Sequence, residues 1–169
     1  VSAAPLLEVD NLVAGYGGDE ALLGFAVPGA GAGFADTIKL IYGLDPSGER
    51  VLGMKVLESR ETPGLGDKIY KDLDFVGEFR ELVVDPLIEP IKGHGEKPYQ
   101  VDAITGATIS SRAVVKILNQ TNEIWRPRIA AFAAQPAAPG DPNRTAPALV
   151  PPDADRGGPV PGGLTGEKP

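Results

Sequence analysis

The sequence predicts an α+β fold with a mostly antiparallel sheet, packed helices and an extended Pro/Gly-rich tail at the C terminus. Two segments rich in β-branched and aromatic residues flank a turn, which indicates an antiparallel hairpin. A later segment repeats apolar residues at helical spacing, which indicates an amphipathic helix. With 169 residues and 42% hydrophobic content, the chain suits one ordinary domain core with an appendage.

The strands are expected mainly in the first half of the chain. Residues 21–27 form a short apolar run, and residues 37–44 have the β-branched and aromatic content of a strand. Residues 45–48 read Asp-Pro-Ser-Gly, which suits a type I turn with proline second and glycine fourth. Residues 51–58 supply the returning strand, so we expect an antiparallel hairpin from about residue 37 to residue 58.

Two helices and one further strand are predicted downstream. Residues 74–82 begin with acidic side chains and place apolar residues on one helix face. Val101 is expected in a last short strand. Residues 111–125 predict the most regular helix, whose apolar positions are Val114, Val115, Ile117, Leu118 and Ile124.

The composition divides the chain near residue 130. Residues 131–169 hold more than half of the 17 prolines, and such a segment cannot bury enough apolar surface to offset its ordering entropy. We therefore expect a domain at residues 1–130 and an extended tail at residues 131–169. Alone the tail is expected to be mobile, and we expect it to be ordered by docking on a partner subunit.

Charge and cysteine content exclude several functions. A formal charge of -7 with a pI near 4.7 argues against nucleic acid as a partner, because phosphate binding needs a basic face. The chain has no cysteine, which excludes disulfides, thiolate-held iron–sulfur clusters, covalent c-type haem and a cysteine nucleophile. Any redox chemistry must come from a cofactor held by other groups.

No stretch approaches the ~20 apolar residues that a membrane-spanning helix needs. The chain begins at Val1 with a run of small residues. Such a start could follow a removed signal segment or an omitted membrane anchor, or it could be an arbitrary boundary. We expect membrane contact through partners or such an anchor.

The turn before the last helix has the chemistry of an anion site. A helix start offers unpaired N–H groups and a partial positive charge, which suit a phosphate. A glycine permits close backbone approach, and an arginine can pair with a phosphate oxygen. The alternative is a plain helix cap by one of the serines. The residues concerned are Asp102, Thr105, Gly106, Ala107, Thr108, Ser110, Ser111 and Arg112.

A second loop lies about 40 residues earlier, and its chemistry suits a flat ring. Its proline fixes one φ angle, its glycines permit close backbone approach, and its leucine offers an apolar surface. A β-turn without a ligand is the alternative. The loop consists of Glu61, Thr62, Pro63, Gly64, Leu65 and Gly66.

The two segments together resemble a known family. Asp102-x-x-Thr105-Gly106-Ala107-Thr108 is similar to the flavinylation signature D-x-x-[ST]-G-A-T, and residues 61–66 are similar to the loop E-T-P-G-L-G. Both belong to FMN-binding domains in the G subunit of Rnf complexes and the C subunit of sodium-pumping NADH:quinone reductases. The Asp-Lys-Ile sequence after the loop favours the Rnf type, whereas the Pro-rich tail departs from the family pattern.

The resemblance implies a cofactor and its attachment. Thr108 would carry FMN through a phosphoester, and the loop at residues 61–66 would lie against the isoalloxazine ring. A separate magnesium-dependent flavin transferase, with FAD as donor, would recognise the motif headed by Asp102. The fourteen motif residues named above are therefore the predicted cofactor-binding residues, and no catalytic or metal-ligating residue is predicted.

These implications make an electron-transfer flavoprotein subunit the expected function, in a membrane-associated redox complex on the extracytoplasmic, periplasmic face. Two alternatives stay open: a non-redox module that bridges subunits, and an FMN carrier of another respiratory or photosynthetic assembly. Gly29, Gly31 and Gly33 superficially suggest a nucleotide loop, but their spacing is wrong and no helix follows, so we expect a glycine-rich connection. His94 is expected to be a solvated loop residue.

Overall fold

The computed structural model describes residues 13–16 and 22–133. Its centre is a five-stranded antiparallel sheet in the order β1-β2-β3-β4-β5. The α+β class expected from the sequence is confirmed. The strands of this sheet are β1 Val13–Tyr16, β2 Leu22–Ala32, β3 Thr37–Leu44, β4 Arg50–Glu58 and β5 Leu82–Val83.

The predicted hairpin is confirmed as β3 and β4. The Gly48 N–H donates to the Asp45 carbonyl at 3.0 Å, which closes the expected four-residue turn. The Asp45 side chain also accepts hydrogen bonds from the N–H groups of Glu49 and Arg50, at 2.8 and 3.0 Å. The turn therefore rests on one aspartate as well as on its proline and glycine.

The expectation of a glycine-rich connection at Gly29, Gly31 and Gly33 is wrong, because β2 continues through the first two of these residues to Ala32. A Cβ at Gly31 would stand 2.7 Å from Ile117 Cγ1, and one at Gly29 would stand 2.9 Å from Ile117 Cγ2. The glycines thus let the last helix approach the strand closely, which a sequence pattern for turns does not reveal.

The last helix, α3, spans Thr108–Ala133, so both of its predicted ends, at residues 111 and 125, were wrong. Pro127 lies inside it, although a proline commonly ends a helix. Beyond Pro127, Ile129 is fully buried and Phe132 is 4% exposed. The Phe132 ring meets the Phe25 ring edge to face, with centroids 5.7 Å apart. Core packing therefore extends the helix across the domain division expected at residue 130.

The single helix expected at residues 74–82 is also wrong. The structure has two short helices, α1 Lys68–Lys71 and α2 Leu73–Gly77. Asp72 separates them, and its side chain accepts hydrogen bonds from the first N–H groups of α2. Leu82 still reaches the core, but it does so from β5, where it pairs with Val51.

The short strand predicted at Val101 is confirmed as β7 Gln100–Asp102. It pairs in parallel with β6 Glu89–Ile91, a strand that the sequence analysis missed because it is short and contains a proline. Asn119 of α3 holds the residue before β6, because its side chain exchanges two hydrogen bonds with the backbone of Ile88, at 2.9 and 3.1 Å.

The core lies between the sheet and α3, with the two short helices closing one end. No helix within the described ranges is both long enough and apolar enough to span a membrane. The predicted tail lies outside the described residues, apart from the end of α3, and so do the first residues of the chain.

Candidate functional site

The motif at residues 102–108 forms the connection between β7 and α3. The Ala107 N–H donates to the Ile104 carbonyl at 2.9 Å and closes a tight turn. Gly106 is the third residue of this turn, with φ +85°, a left-handed value that favours glycine. Thr105 and Gly106 are exposed, whereas Ala107 is buried. The chain thus presents the turn at the surface and enters α3 immediately afterwards.

Asp102, at the head of the motif, is held by its neighbours. One carboxylate oxygen accepts from the Gly95 N–H at 2.7 Å, and the other lies 3.3 Å from His94 Nδ1. Its own N–H donates to the Glu78 carboxylate at 2.5 Å. Burial raises the pKa of Glu78 above its ordinary value. His94 is fully exposed, as a solvated loop histidine was expected to be.

Thr108, the predicted attachment residue, is the first residue of α3 and is half-buried. Its hydroxyl lies 3.5 Å from the Ile104 carbonyl, at the outer limit of a hydrogen bond. Within the described part of the chain, the N–H groups of residues 108–110 have no acceptor. Arg112 is exposed, and it has no ion pair or side-chain hydrogen bond with the described residues. Thr108 therefore combines a weakly held hydroxyl with the positive end of a long helix.

The two serines of the motif are buried and bonded inside the protein. Ser111 Oγ donates to the Ala107 carbonyl at 3.0 Å and accepts from the Ile104 N–H at 3.1 Å, so it braces the turn. Ser110 Oγ donates to the Glu61 carboxylate at 2.5 Å. Neither hydroxyl accepts a hydrogen bond from the first turn of α3 among the described residues, so the plain helix cap is not what these serines form.

The loop at residues 61–66 is a compact turn braced by Asp67. The Thr62 carbonyl accepts from the Leu65 N–H at 3.1 Å, and Asp67 Oδ1 accepts from the Gly64 N–H at 2.8 Å. Asp67 Oδ2 lies 2.6 Å from Lys71 Nζ, and this partner holds the pKa of the Asp67 carboxyl below its ordinary value. The bracing leaves residues 62–65, including Pro63, exposed at the tip.

Glu61 joins this loop to α3. It is only 5% exposed, and its oxygens accept from Ser110 Oγ at 2.5 Å and from the Ala35 N–H at 2.9 Å. Burial opposes ionisation, but the hydrogen bonds from Ser110 and from backbone N–H groups outweigh it and hold the Glu61 pKa below its ordinary value. Three separate segments therefore meet at one carboxylate.

Glycines enclose the Glu61 carboxylate on two sides. A Cβ at Gly66 would stand 2.5 Å from Glu61 Oε2 and 2.8 Å from Ser110 Oγ. A Cβ at Gly33 would collide with Glu61 Oε1 and stand 2.7 Å from the Asp36 carbonyl. Gly66 is thus buried behind the loop and needed for its packing, whereas Gly64 at the tip has φ +79° and faces open space.

The exposed tips of the two motifs lie side by side. Leu65 Cδ2 is 3.9 Å from the position that a Cβ on Gly106 would take. Leu65 and Ile109 are 50% and 57% exposed, so both offer apolar surface to a ligand. Next to the turn lies a cavity of about 470 Å³ whose lining includes Lys68, Ile104 and Thr105. The surface thus combines apolar side chains with N–H groups and hydroxyls.

Sequence reasoning missed the residues that support the two motifs. The segment at residues 33–36 contacts Glu61, and Glu78 and Gly95 contact Asp102. These contacts join residues that are distant in the sequence, and their only local signal was the glycine at position 33.

The sequence of this chain matches a known protein family. Residues 33–123 match the family model of the FMN-binding domain. The G subunit of an ion-translocating oxidoreductase complex from Pasteurella multocida is 42% identical over 93 residues, covering 53% of this chain and 44% of that protein. The G subunit of a proton-translocating ferredoxin:NAD(+) oxidoreductase complex from Clostridium ljungdahlii is 33% identical over 101 residues, covering 60% of this chain and 52% of that protein. The chain spans about half the length of these relatives.

Solved structures share the fold at lower sequence identity. NqrC from Shewanella oneidensis superposes with a TM-score of 0.60 at 21% identity, covering 71% of this chain and 60% of that one. The C subunit of the Na(+)-translocating NADH-quinone reductase from Parabacteroides distasonis gives the same TM-score and identity, covering 74% and 63%. The family model matches more than half of the chain, and the matched residues 33–123 include both motifs, so the chain belongs to the FMN-binding domain family.

Proposed function

We propose that this chain is an electron-transfer domain that carries FMN in phosphoester linkage to Thr108. The observation that carries the proposal is the difference among the hydroxyls of the motif. Ser110 and Ser111 are buried and bonded internally, whereas Thr108 is half-buried with one contact at 3.5 Å. Thr105 is the one other exposed hydroxyl of this turn, and it serves as the control.

The residues present fit the two halves of FMN. Thr108 lies at the start of a 26-residue helix, where free N–H groups and the helix dipole favour a phosphate. Arg112 is one turn further along and exposed, so its guanidinium can reach an anion at this end. Leu65 and Ile109 supply apolar surface for a ring. At Gly64 and Gly106 no side chain obstructs a flat ligand.

Bound FMN supplies the redox chemistry, and the chain's residues hold it in place and set its surroundings. The loop tip at residues 62–65 is rigid because Asp67 and the Thr62 carbonyl hold its backbone. Leu65 excludes water from one side of the ring. Because residues 62–65 are exposed, a redox partner can approach the same edge.

Attachment requires a separate enzyme, because a threonine hydroxyl is a weak nucleophile at neutral pH. We propose a magnesium-dependent flavin transferase that uses FAD as donor. A bond forms between Thr108 Oγ and the phosphorus of the FMN half, the pyrophosphate bond breaks, AMP leaves, and a base of the transferase takes the proton. Asp102 is held at the edge of the turn by Gly95 and Glu78, where the transferase can recognise it.

The relatives' names support a place in a larger assembly. They are subunits of ion-translocating or proton-translocating oxidoreductase complexes. By analogy with these relatives, this domain relays electrons between other subunits of a membrane redox complex. We place it on the extracytoplasmic face, where a covalent link prevents the loss of a cofactor that cannot be replaced there.

The test is flavin labelling in the presence of transferase, Mg²⁺ and FAD. The parent chain should gain the mass of FMN less one water, and its flavin should survive denaturation. Thr108→Ala should abolish labelling, and Thr108→Ser should retain part of it. Thr105→Ala is the matched control and should still be labelled. FMN mapped to Thr105, Ser110 or Ser111 would overturn the assignment, and a parent chain without covalent flavin would remove the proposal.

A further inference from the structure

The proposed function gives no role to the buried carboxylate of Glu61. It is the point where three segments meet: residues 33–36, the loop at residues 61–66 and the first turn of α3. Two of these segments carry the predicted ring contact and the predicted attachment residue. A change at this carboxylate therefore alters the position of the loop at residues 61–66 relative to the first turn of α3.

Glu61 cannot act on the flavin by direct contact. Its side chain is 5% exposed, and its two oxygens are occupied by Ser110 Oγ and by the Ala35 N–H. The glycine backbones of Gly33 and Gly66 cover it so closely that neither position accommodates a Cβ. No space remains there for a ligand atom.

The link nevertheless lies next to both motifs. Ser110 is two residues after Thr108, in the same helical turn. Gly66, against which the Glu61 carboxylate packs, directly follows Leu65. One hydrogen bond to a charged group, short and shielded from water, therefore connects the backbone that carries the leucine to the backbone that carries the threonine. Such bonds are about twice as strong as neutral ones.

We infer that Glu61 is a positioning residue, which fixes the ring-facing loop relative to the attachment threonine through its bond to Ser110. This inference rests on the proposed function. It predicts that the flavin of a Glu61 variant is still attached at Thr108 but is held loosely, because Leu65 no longer has a fixed position over the ring.

The side-chain chemistry supplies a graded series of variants. Glu61→Ala removes the link completely. Glu61→Gln keeps a neutral version, because its amide oxygen can accept from Ala35 while its amide nitrogen donates to Ser110 Oγ. Ser110→Ala breaks the same link from the helix side. Glu58→Ala is the matched control, since Glu58 is an exposed glutamate on the neighbouring strand end whose partner is Lys39, at 2.7 Å.

The experiment compares these chains after labelling with transferase and FAD. Fluorescence anisotropy of the attached flavin should fall and its reduction potential should shift in Glu61→Ala and Ser110→Ala, with partial recovery in Glu61→Gln and no change in Glu58→Ala. Before labelling, amide exchange across residues 61–67 should be about tenfold to a hundredfold faster in Glu61→Ala, the change expected on losing one hydrogen bond to a charged group. Ile129→Val, a mild core change far from the site, controls for stability alone.

The outcomes separate the two proposals. If the parent chain takes up no covalent flavin, the proposed function fails, and the inference fails with it. If the parent is labelled but Glu61→Ala and Ser110→Ala keep its anisotropy and potential, the proposed function stands and the inference is wrong. Should Glu61→Ala fail to fold, Ser110→Ala and Glu61→Gln decide the question. If Ile129→Val changed the flavin anisotropy and reduction potential by the same amount, the effect would be explained by lower stability alone, and the inference would also be wrong.

Discussion

Truncation of α3 offers a quantitative test of the structure. A chain that ends after Arg128 keeps every helix and strand expected from the sequence, but it loses Ile129 and Phe132, which are 0% and 4% exposed. Truncating a buried isoleucine to alanine costs about 2–5 kcal/mol and a buried phenylalanine about 3–5 kcal/mol. Because whole domains are stable by only about 5–15 kcal/mol, losing both side chains should remove most of the stability.

Urea unfolding followed by circular dichroism measures this loss. The control is a chain that ends after Ala133, which retains both side chains and the Phe25 contact. We expect the control to unfold with a clear midpoint and the Arg128 truncation to be partly unfolded without denaturant. Phe132→Ala in the full chain should fall between them. If the truncation after Arg128 matched the control within about 1 kcal/mol, the end of α3 would not belong to the core and the reasoning would be refuted.

Two further predictions concern the site. The pKa of Glu61 in the folded protein is depressed, so its stabilising contribution is present above its ordinary pKa of about 4.3 and is lost as pH falls through the folded value. The unfolding free energy of Glu61→Gln should therefore vary less with pH below about 4.3 than that of the parent. An equal pH dependence of the two chains in this range would contradict the stabilising role of the ionised Glu61 carboxylate. Leu65→Asp should lower the reduction potential of attached FMN while leaving the Thr108 linkage intact, because a carboxylate beside the ring disfavours added electrons; redox titration measures this, and an unchanged potential would place the loop away from the ring.

Part of the fold could be predicted because its signals lie in residues that are close together in the sequence. The hairpin of β3 and β4 was found because its turn combines aspartate, proline and glycine, residues that fix this geometry within four positions. The two motifs were found because their residues are contiguous. The middle of α3, residues 111–125, was found because its apolar residues repeat along one face that packs on the sheet.

Contacts between distant segments made the rest unpredictable. The glycines of β2 look like a loop unless Ile117 is known to lie against them. Pro127 suggests the end of a helix unless Phe132 is known to pack on Phe25. The hydrogen bond between Glu61 and Ser110 joins residues separated by 49 positions, and the sequence around neither residue predicts it.

The length of α3 separates two regions of the molecule. At a rise of about 1.5 Å per residue, the helix from Thr108 to Ala133 is about 38 Å long. Its N-terminal end carries Thr108, the proposed attachment residue, and its C-terminal end is where residues 134–169 begin. A protein that binds the chain at Ala133 therefore leaves the end of the helix at Thr108 uncovered. The domain can therefore be held at one end of the helix while the proposed redox partner binds and leaves at the other end.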